Sequence, residues 1–404
     1  MRPLYPLLPV LTLLLLQTAL HAQVWTQLDS LPGRARTGAA TFVIGDTVYV
    51  VGGTHSIDCY GYCVTTHKWS RKKDVPNVVT ERLDATAFTV GNTGYVGLGL
   101  DQDSVTLRDL WAYDAAADTW SQRADLPGST RCGAFAMNIN GTVYVGGGFT
   151  GRLLVSEMRD MYAYDPVQDL WTRKANIIVG GAFYVGAFVL GNYGYMATGL
   201  VRGTEIHNLY RYDPDSNAWS DRGPFPEPAR AGCVAFTYAG KAYVGLGEAG
   251  FTELRTDIYR YDPDLGTWAF YTVMPGTPGR LLASAAVVGN SAYIGLGGDL
   301  DTADYGDWWQ LDFLASGVAT RANGSAAPAI APNPSHGHAL LTLPSGWDGA
   351  EVRLFDCLGE CVGTSVVPDG TPTAALNVAG LAAGPYMVEI RSGMRRTTLQ
   401  LIVQ

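Results

Sequence analysis

The chain has 404 residues, of which 47% are hydrophobic and 16% are charged. This length allows two or three domains and a sizeable buried core, and the composition is that of an ordinary folded protein. The net charge of −9 argues against nonspecific binding to nucleic acid, because the phosphate backbone attracts basic surfaces. We therefore expect no nucleic-acid partner.

The first 22 residues have the pattern of a signal peptide. Arg2 precedes an apolar run from Leu7 to Leu16, and His21-Ala22-Gln23 offers a cleavage site after Ala22. A membrane anchor is the alternative, but the run is short of a full span and prolines interrupt it. We expect an exported protein with no integral membrane segment once residues 1–22 are removed.

A unit of about 50 residues recurs along most of the remaining chain. Its first landmark is a Tyr before a glycine cluster, which occurs at Tyr49, Tyr95, Tyr144, Tyr195, Tyr243 and Tyr293. Its second landmark is an aromatic run ending in Tyr-Asp, seven residues before a Trp, in the pairs Tyr113 and Trp120, Tyr164 and Trp171, Tyr212 and Trp219, and Tyr261 and Trp268. Such a period indicates units that bury their faces by stacking on one another.

Each unit is predicted to form four short strands. The first is small and apolar, as in Gly133 to Ile139, and a tight turn such as Asn140-Gly141 leads into the Tyr-Gly strand. The third strand ends in Tyr-Asp, and the fourth begins with Trp. The sixth unit has no Trp strand of its own, so we expect the segment Val24 to Gln27 to complete it and to cover an open strand edge.

These residues resemble the kelch repeat, with a diglycine after an apolar strand followed by spaced Tyr and Trp. The resemblance covers about Trp25 to Asp312 and implies a six-bladed β-propeller. The predicted fold class is therefore all-β, with a six-bladed kelch β-propeller over residues 23–314.

Antiparallel strands place the loops of a propeller on two faces. The turns on one face are all short, whereas the other face carries long connections, among them Leu100 to Arg108, Phe149 to Arg159, Leu200 to Asn208, Glu248 to Thr256 and Asp299 to Gly306. Binding residues usually lie on such loops, so this long-loop face is the candidate binding surface.

One repeated position adds charge to this face. The residue 13 positions before each landmark Tyr is Arg36, Arg82, Arg131, Arg230 or Arg280, with Ala182 in the fourth unit. Five guanidiniums converging on the mouth of the central channel would suit a carboxylate, sulfate or phosphate. The alternative is that the arginines pair with acidic loop residues such as Glu81, Asp101, Glu248 or Asp299 and are structural.

Metal and cofactor signals are weak. The propeller holds three histidines, His55, His67 and His207, and they lie in different blades or on different faces, so we expect no metal site and no cofactor. The chain thereby departs from galactose oxidase, a copper enzyme with kelch repeats, whose Tyr-Cys-His set cannot be mapped onto these residues.

After residue 314 the composition changes. Residues 315–327 are rich in Ala, Gly and Ser and are predicted to be a linker. Residues 328–404 contain several short strands separated by turn signals, which predict a small C-terminal β-sandwich.

This last segment resembles the C-terminal sorting domain of type IX secretion substrates in Bacteroidetes. The resemblance depends on Pro332-Asn333-Pro334, on Leu354-Phe355-Asp356 followed by Gly359, and on the terminal Leu401-Ile402-Val403. It implies that the type IX secretion machinery is a partner and that the protein is secreted or attached to the cell surface.

The sorting segment also contains two cysteines, Cys357 and Cys361, which depart from the family pattern. If Leu358-Gly359-Glu360 is a three-residue hairpin loop, the two thiols face each other at its base and could form a disulfide. Two free thiols are the alternative.

Three functions are compatible with these features. We favour a noncatalytic recognition propeller whose ligand, an anionic glycan or an acidic protein segment, contacts the five arginines. A sugar-modifying enzyme such as a sialic acid mutarotase or epimerase is the second, because N-acetylneuraminate epimerase is a six-bladed kelch protein and Glu248 or His207 could move the proton. A scaffold for another exported protein is the third.

Overall fold

The computed structural model describes residues 24–76, 78, 80–151, 156–226, 228–276, 279–301, 303–314, 328–331, 338–343, 347, 349–356, 360–371, 373–382, 384–393 and 395–403. Within these ranges the regular elements are β-strands, which confirms the predicted all-β class. The same ranges contain no apolar helix long enough to cross a membrane. The predicted signal peptide, residues 1–22, and the predicted linker, residues 315–327, lie outside the described residues.

Six four-stranded antiparallel sheets form the blades of a β-propeller. From the inner to the outer strand, blade 1 is Ala40–Ile44, Thr47–Val51, Cys59–Cys63 and Lys68–Lys72; blade 2 is Thr86–Val90, Thr93–Gly97, Leu110–Asp114 and Thr119–Arg123; blade 3 is Phe135–Ile139, Thr142–Gly146, Met161–Asp165 and Leu170–Lys174; blade 4 is Gly186–Leu190, Tyr193–Ala197, Asn208–Asp213 and Ala218–Pro224; blade 5 is Val234–Tyr238, Lys241–Gly245, Asp257–Asp262 and Thr267–Val273; blade 6 is Ser284–Val288, Ser291–Gly295, Trp308–Asp312 and Val24–Leu28.

The ring of blades closes through the first strand of the chain. Val24–Leu28 pairs antiparallel with Trp308–Asp312, with Leu28 opposite Trp308. The inner strands of successive blades contact one another, and the inner strand of blade 6 contacts that of blade 1. The outer edge of blade 6 is therefore covered by a strand from the other end of the propeller sequence.

The first and second strands of a blade differ in burial because they have different surroundings. The inner strand Ala40–Ile44 alternates between buried and partly buried residues, since one side faces the channel. The second strand, Thr47–Val51, is buried at four of its five positions because neighbouring blades cover both of its faces. The repeated Tyr-Gly strand is thus more buried than the inner strand of its blade.

Aromatic rings fill the space between blades. Phe42 stacks on Tyr49 in blade 1 with ring centroids 4.9 Å apart, and Tyr49 meets Tyr113 of blade 2 edge to face at 5.3 Å. The pair Phe88 and Tyr95 repeats the stacking in blade 2. Because one large ring buries about 150–250 Å², these landmark tyrosines account for much of the contact between blades.

On the short-turn face, a second set of contacts joins the outer strands. The Asp118 carboxylate accepts a hydrogen bond from Tyr113 Oη at 2.6 Å and from the backbone N–H of Lys73 in blade 1 at 2.9 Å. Trp120 Nε1 donates to the Lys73 carbonyl at 2.9 Å, and in blade 3 Trp171 Nε1 donates to the Ala124 carbonyl at 2.8 Å. The landmark Trp therefore links each of these blades to the preceding blade.

The C-terminal segment forms a small two-sheet domain. A three-stranded sheet contains Ala329–Ala331, His338–Thr342 and Thr373–Asn377, and a four-stranded sheet contains Cys361–Val366, Glu351–Phe355, Gly384–Ser392 and Arg395–Val403. Leu341 and Leu376 of the first sheet share a buried cluster with Val352, Val388 and Leu401 of the second. The β-sandwich predicted from the sequence is confirmed.

The structure describes the base of the turn that carries the two cysteines. Cys357 lies outside the described residues, so the predicted disulfide with Cys361 falls there too. Cys361 is a free, exposed thiol and pairs with Phe355 across the hairpin, while the backbone N–H of Asp356 donates to the Glu360 carbonyl at 3.0 Å. The base of the turn is therefore formed by Asp356 and Glu360.

Candidate ligand-binding face

At residues that the structure describes, short two-stranded ribbons lie in or beside the long connections of the propeller. Two-stranded pairings join Arg82–Leu83 with Leu100–Asp101, Phe149–Thr150 with Ser156–Glu157, Leu200–Val201 with Thr204–Glu205, and Glu248–Ala249 with Glu253–Leu254. In blade 6, the backbone N–H of Asp299 donates to the Ala303 carbonyl. Three of these ribbons begin where the second strand of their blade ends. In blade 2, Leu100–Asp101 follows the second strand and pairs with Arg82–Leu83, which lies just before the inner strand. All four pairings therefore lie at the long-loop face.

Apolar side chains are exposed on three of these ribbons. Val105, Phe251 and Leu300 have 55%, 51% and 39% of their surface exposed. They belong to blades 2, 5 and 6 and lie in turns within the long connections. Single exposed apolar residues are common on protein surfaces, but these three share the face that carries the long loops.

The five predicted arginines are buried inside the blades. Their side chains are at most 1% exposed, and each one meets an aspartate of its own blade: Arg36 and Asp58 at 3.5 Å, Arg82 and Asp109 at 2.6 Å, Arg131 and Asp160 at 2.7 Å, Arg230 and Asp257 at 2.6 Å, and Arg280 and Asp307 at 2.7 Å. In the last four pairs both guanidinium Nη atoms donate to the carboxylate. The blades therefore neutralise the charge of these cations without a ligand.

The same position also connects neighbouring blades through its backbone. The carbonyl of Arg82 accepts a hydrogen bond from Gly53 of blade 1 at 2.8 Å, and the carbonyl of Arg131 accepts one from Gly99 of blade 2 at 2.9 Å. Gly99 has a φ of 97°, and a Cβ there would lie 2.9 Å from the Leu83 carbonyl oxygen. Only glycine fits this conformation without strain, which explains the glycine that closes each cluster.

This placement assigns the five arginines a structural role. The expectation that they converge as free charges on the channel mouth is not met, because each guanidinium is held by a carboxylate that begins the third strand of its blade or lies one residue before it. The structural alternative fits the contacts, but the partners are not Glu81, Asp101, Glu248 or Asp299. Binding of an anion by these arginines would require an ion pair to open.

Blade 4 lacks both members of the pair. Ala182 occupies the arginine position and is fully buried, and Asn208 occupies the aspartate position. The amide of Asn208 donates instead to Asp221 at 2.7 Å. The backbone contact is kept, since Gly148 donates to the Ala182 carbonyl at 2.8 Å. The two substitutions together leave no unpaired charge.

A ring of backbone hydrogen bonds surrounds the channel at its long-loop end. It is formed by the residue two positions after the arginine position, which is Gly38, Asp84, Gly133, Tyr184, Gly232 or Leu282. Each backbone N–H donates to the carbonyl of the preceding blade at 2.9–3.2 Å, and Gly38 closes the ring by donating to Leu282. All six residues have φ values between 52° and 66°. We call these six residues the mouth ring.

Side chains in the mouth ring alternate with glycines. A Cβ on Gly38 would collide with the Asp84 carboxylate, and one on Gly133 would lie 3.0 Å from the Tyr184 ring. Three side chains, from Asp84, Tyr184 and Leu282, thus lie over the glycines of the preceding blades. Tyr184 Oη donates to Asp84 Oδ2 at 2.5 Å and so joins blades 4 and 2 across the channel mouth.

Two cavities lie along the axis of the propeller. One of about 150 Å³ is lined by the mouth ring and the residues that follow it, and one of about 260 Å³ continues along the inner strands. They share lining residues such as Ala85 and Ala283. Among the described residues that line them, Asp84 is the one charged side chain. The channel is otherwise lined mainly by alanine, valine, threonine, serine and backbone.

The electrostatic environment at this end of the channel is acidic. Burial raises the pKa of Asp84 to about 6, the Tyr184 hydrogen bond acts in the opposite direction, and the charge of Glu81 raises it further. Burial also raises the pKa of Glu248, and the nearby Glu205 adds to this effect. Carboxylates, and no arginine of the repeated position, therefore set the charge at the mouth of the channel.

The other candidate residues are dispersed. His55 Nδ1 lies 3.2 Å from Glu81 Oε2, and His67 Nδ1 lies 3.2 Å from Tyr62 Oη on the opposite face. In the parts of the chain that the structure describes, no three His, Cys, Asp or Glu side chains are placed to hold a metal ion. Cys132 and Cys233 are free thiols, and burial raises the pKa of both.

Comparison with known families supports this description of both domains. A family model described as "Kelch motif" matches residues 130–176, and one described as "Secretion system C-terminal sorting domain" matches residues 329–404. The chain carries kelch repeats and a secretion sorting domain. A sorting domain of this kind implies export to the cell surface or secretion.

Curated relatives match about a third of the chain. The chain is 28% identical to human Kelch-like protein 34 over 36% of its length, 27% identical to mouse Kelch-like protein 35 over 39%, and 32% identical to the N-acetylneuraminate epimerase of Yersinia enterocolitica over 28%. These matches span 22%, 34% and 29% of the relatives' own lengths.

A solved structure, described as the structure of YjhT, has the same fold. It superposes with a TM-score of 0.62 and covers 70% of this chain and 95% of its own, at 17% sequence identity. At this identity the likeness concerns the kelch propeller fold alone.

Proposed function

We propose that this protein is an exported kelch propeller that binds a ligand with its long-loop face, and that its C-terminal domain directs export through the type IX secretion machinery. The observation that carries the binding role is the one-sided arrangement of ordered ribbons around the channel mouth. Rigid blades hold these ribbons in place, as a binding surface requires. The sorting-domain match supports the route of export.

The charge of the proposed ligand follows from the groups near the mouth. An anionic glycan or acidic protein segment was expected because of the five arginines, and those arginines are neutralised inside the blades. Asp84, Glu81 and Glu248 disfavour a carboxylate or sulfate near the axis. The proposal is therefore a neutral or positively charged ligand, with acidic ligands retained as a test.

The proposed face can be tested with paired surface variants. Full-length protein without residues 1–22 is screened against neutral, acidic and amino-sugar glycans and against exported proteins from culture supernatant. The variant Val105→Ser with Phe251→Ser is expected to weaken binding at least about tenfold, because a central contact is typically worth more than 1.4 kcal/mol.

A matched control uses the opposite face. Val167 and Leu265 are 93% and 73% exposed in short turns, so Val167→Ser with Leu265→Ser removes similar apolar surface far from the ribbons. This variant is expected to bind as the unmodified protein does. Equal losses in both variants, or no ligand in any class, would refute the proposed face.

The similarity to an N-acetylneuraminate epimerase favours a second candidate function, a sugar-modifying enzyme acting on sialic acid. Glu248, with its pKa raised by burial, is a candidate proton carrier, and His207 lies in the neighbouring blade. The candidate lacks a free arginine for the substrate carboxylate at the repeated position. Measured interconversion of sialic acid anomers or epimers no faster than in buffer would eliminate it.

A further inference from the structure

The axial channel has the lining of a narrow ligand site. Its walls include the residues just before the inner strands, among them Ala39, Ala85, Ala134 and Ala283. The hydroxyls in the channel already have partners, since Thr41 Oγ1 donates to Ser284 Oγ at 2.8 Å and Thr86 Oγ1 donates to the Ala134 carbonyl at 3.0 Å. In the smaller cavity the side chains around Asp84 are mainly those of alanine, valine and leucine, which leaves room for a short aliphatic stem.

At the long-loop end of this lining, Asp84 is incompletely satisfied. Its side chain is 8% exposed, Oδ2 accepts the hydrogen bond from Tyr184, and Oδ1 accepts none from the described residues. A buried carboxylate without a cation is costly, and a second donor with positive charge would offset that cost. The other five residues of the mouth ring offer no charge, so a cation must come from elsewhere.

We propose that the channel binds a primary ammonium group on a linear aliphatic stem, with the ammonium at the Asp84 carboxylate. This inference deepens the proposed function, because the cavity that Asp84 lines opens at the long-loop end of the channel. The stem lies along the alanine walls and the ammonium donates to Asp84 beside Tyr184. An amine is selected over an alcohol of the same length by the carboxylate.

The shape of the cavity argues for a slender ligand. The 150 Å³ cavity is the size of a single extended side chain, and Asp84, Tyr184 and Leu282 are among the residues that line it. A sugar ring is wider than such a side chain, and a neutral sugar lacks the positive charge that the Asp84 carboxylate favours. An ammonium is a compact point charge on a flexible stem and fits both requirements.

The test compares n-pentylammonium with 1-pentanol. Both are titrated by calorimetry at about pH 7.5 into the full chain without residues 1–22, where an aliphatic amine is fully charged. Saturable binding of n-pentylammonium and at least about tenfold weaker binding of 1-pentanol are expected, since the carboxylate interaction is worth more than 1.4 kcal/mol. Equal binding of the two probes, or no binding of n-pentylammonium, would overturn the proposal.

Two variants locate the interaction. Asp84→Asn keeps an acceptor for Tyr184 but removes the charge, and it is expected to lower n-pentylammonium affinity at least about tenfold. Asp103→Asn removes the same charge from an exposed loop residue outside the channel and is expected to leave the affinity unchanged. An Asp84→Asn variant that keeps the n-pentylammonium affinity of the unmodified protein would contradict the site. An equal loss of affinity in Asp103→Asn would contradict it too.

A pH titration of the unmodified protein gives a readout that needs no variant. The titratable groups near Asp84 are Tyr184, Glu81 and Cys132, and burial raises the pKa of both Tyr184 and Cys132, so these two stay neutral. Protonation of Asp84 is expected to lower n-pentylammonium affinity about tenfold between pH 7.5 and pH 5. A pH-independent affinity would count against Asp84.

The inference and the proposed function can fail separately. Loss of ligand binding in the Val105→Ser and Phe251→Ser variant with unchanged n-pentylammonium affinity supports both a loop contact and the channel site. No n-pentylammonium binding, beside a glycan or protein ligand that depends on Val105 and Phe251, overturns the channel site and leaves the proposed function standing.

Discussion

Blades 3 and 4 connect to their neighbours in the same way but differ in charge. Arg131 and Asp160 form a buried ion pair in blade 3, whereas blade 4 has Ala182 and Asn208 at the same two positions. Both sheets have four strands in the same order, and both positions accept the same backbone hydrogen bond from the preceding blade. The fold thus requires the backbone connection, and the ion pair can be replaced as a unit.

A third position differs between the two blades. Trp171 Nε1 donates to the Ala124 carbonyl of blade 2, while Trp219 Nε1 of blade 4 is buried without a hydrogen-bond partner among the described residues. Blade 4 therefore keeps the aromatic packing of the repeat but omits two of its polar contacts. The difference separates contacts that the repeat needs from contacts that it can lose.

Breaking one half of the blade 3 pair should give the largest effect. Arg131→Ala leaves the partly buried Asp160 carboxylate beside a cavity without its cation, and we expect a loss of about 3 kcal/mol in the free energy of unfolding. Urea unfolding followed by tryptophan fluorescence measures this loss.

Copying blade 4 into blade 3 is the matched control. Arg131→Ala with Asp160→Asn removes both charges, and the double variant is expected to recover more than half of the stability lost by Arg131→Ala. A double variant as unstable as the single one would mean that the ion pair itself, and not the avoidance of a lone charge, stabilises the blade.

A second comparison sets Asp160, which has a cation, against Asp84, which has none. Burial alone would raise the pKa of Asp160, but the hydrogen bonds and charge of Arg131 outweigh it and lower the pKa. Asp160 therefore contributes stability above its unfolded pKa and loses it as the pH falls. Asp84, with a pKa raised to about 6, contributes stability at low pH and loses it as the pH rises through 6.

Asp84→Asn should consequently stabilise the protein at neutral pH. The expected gain is about 1–2 kcal/mol above pH 7, less than the full value of the pKa shift because the site can relax, and about zero near pH 4. Thermal unfolding at several pH values measures it. A gain that does not depend on pH would show that Asp84 titrates with the same pKa in the folded and unfolded states.

The smallest effect should come from the tryptophan pair. Trp171→Phe and Trp219→Phe remove similar ring area, but only the first deletes a hydrogen bond, so Trp171→Phe is expected to cost about 1 kcal/mol more. Unfolding followed by circular dichroism avoids the loss of fluorescence signal. Equal costs would indicate that the indole hydrogen bonds do not stabilise the blade contacts.

The propeller could be predicted from the sequence because residues within each repeat mark the positions of its strands. The Tyr-Gly strands, the Trp strands and the missing outer strand of blade 6 all have fixed landmarks, such as Tyr144 and Trp171. The arginine position was found by spacing, but its partner was not, since loops of different length separate Arg131 from Asp160. Measured from the third strand, the aspartate lies four residues before the Tyr of the Tyr-Asp pair, as Asp160 does before Tyr164. This spacing is the sequence signal that identifies the partner.

The mouth ring could not be deduced from spacing. At the mouth-ring positions the sequence alternates between glycine and a larger residue: Gly38, Asp84, Gly133, Tyr184, Gly232 and Leu282. This alternation does not predict that each larger side chain packs against the glycine of the preceding blade. That direction depends on the positive φ of these residues and on the closing of the ring. The unpaired oxygen of Asp84 likewise arises from tertiary packing, so no local pattern predicts it.

The strand that closes the ring also sets the order in which the molecule can assemble. Leu28 pairs with Trp308, 280 positions later in the chain. Blades 1 to 5 can form from local segments, but the first strand has no partner until the last blade exists. Contacts this distant in sequence are slow to form because a long loop must close first. The propeller is therefore expected to gain its full cooperativity in one late step. Until then, the backbone groups of the strand Val24–Leu28 have no partner strand.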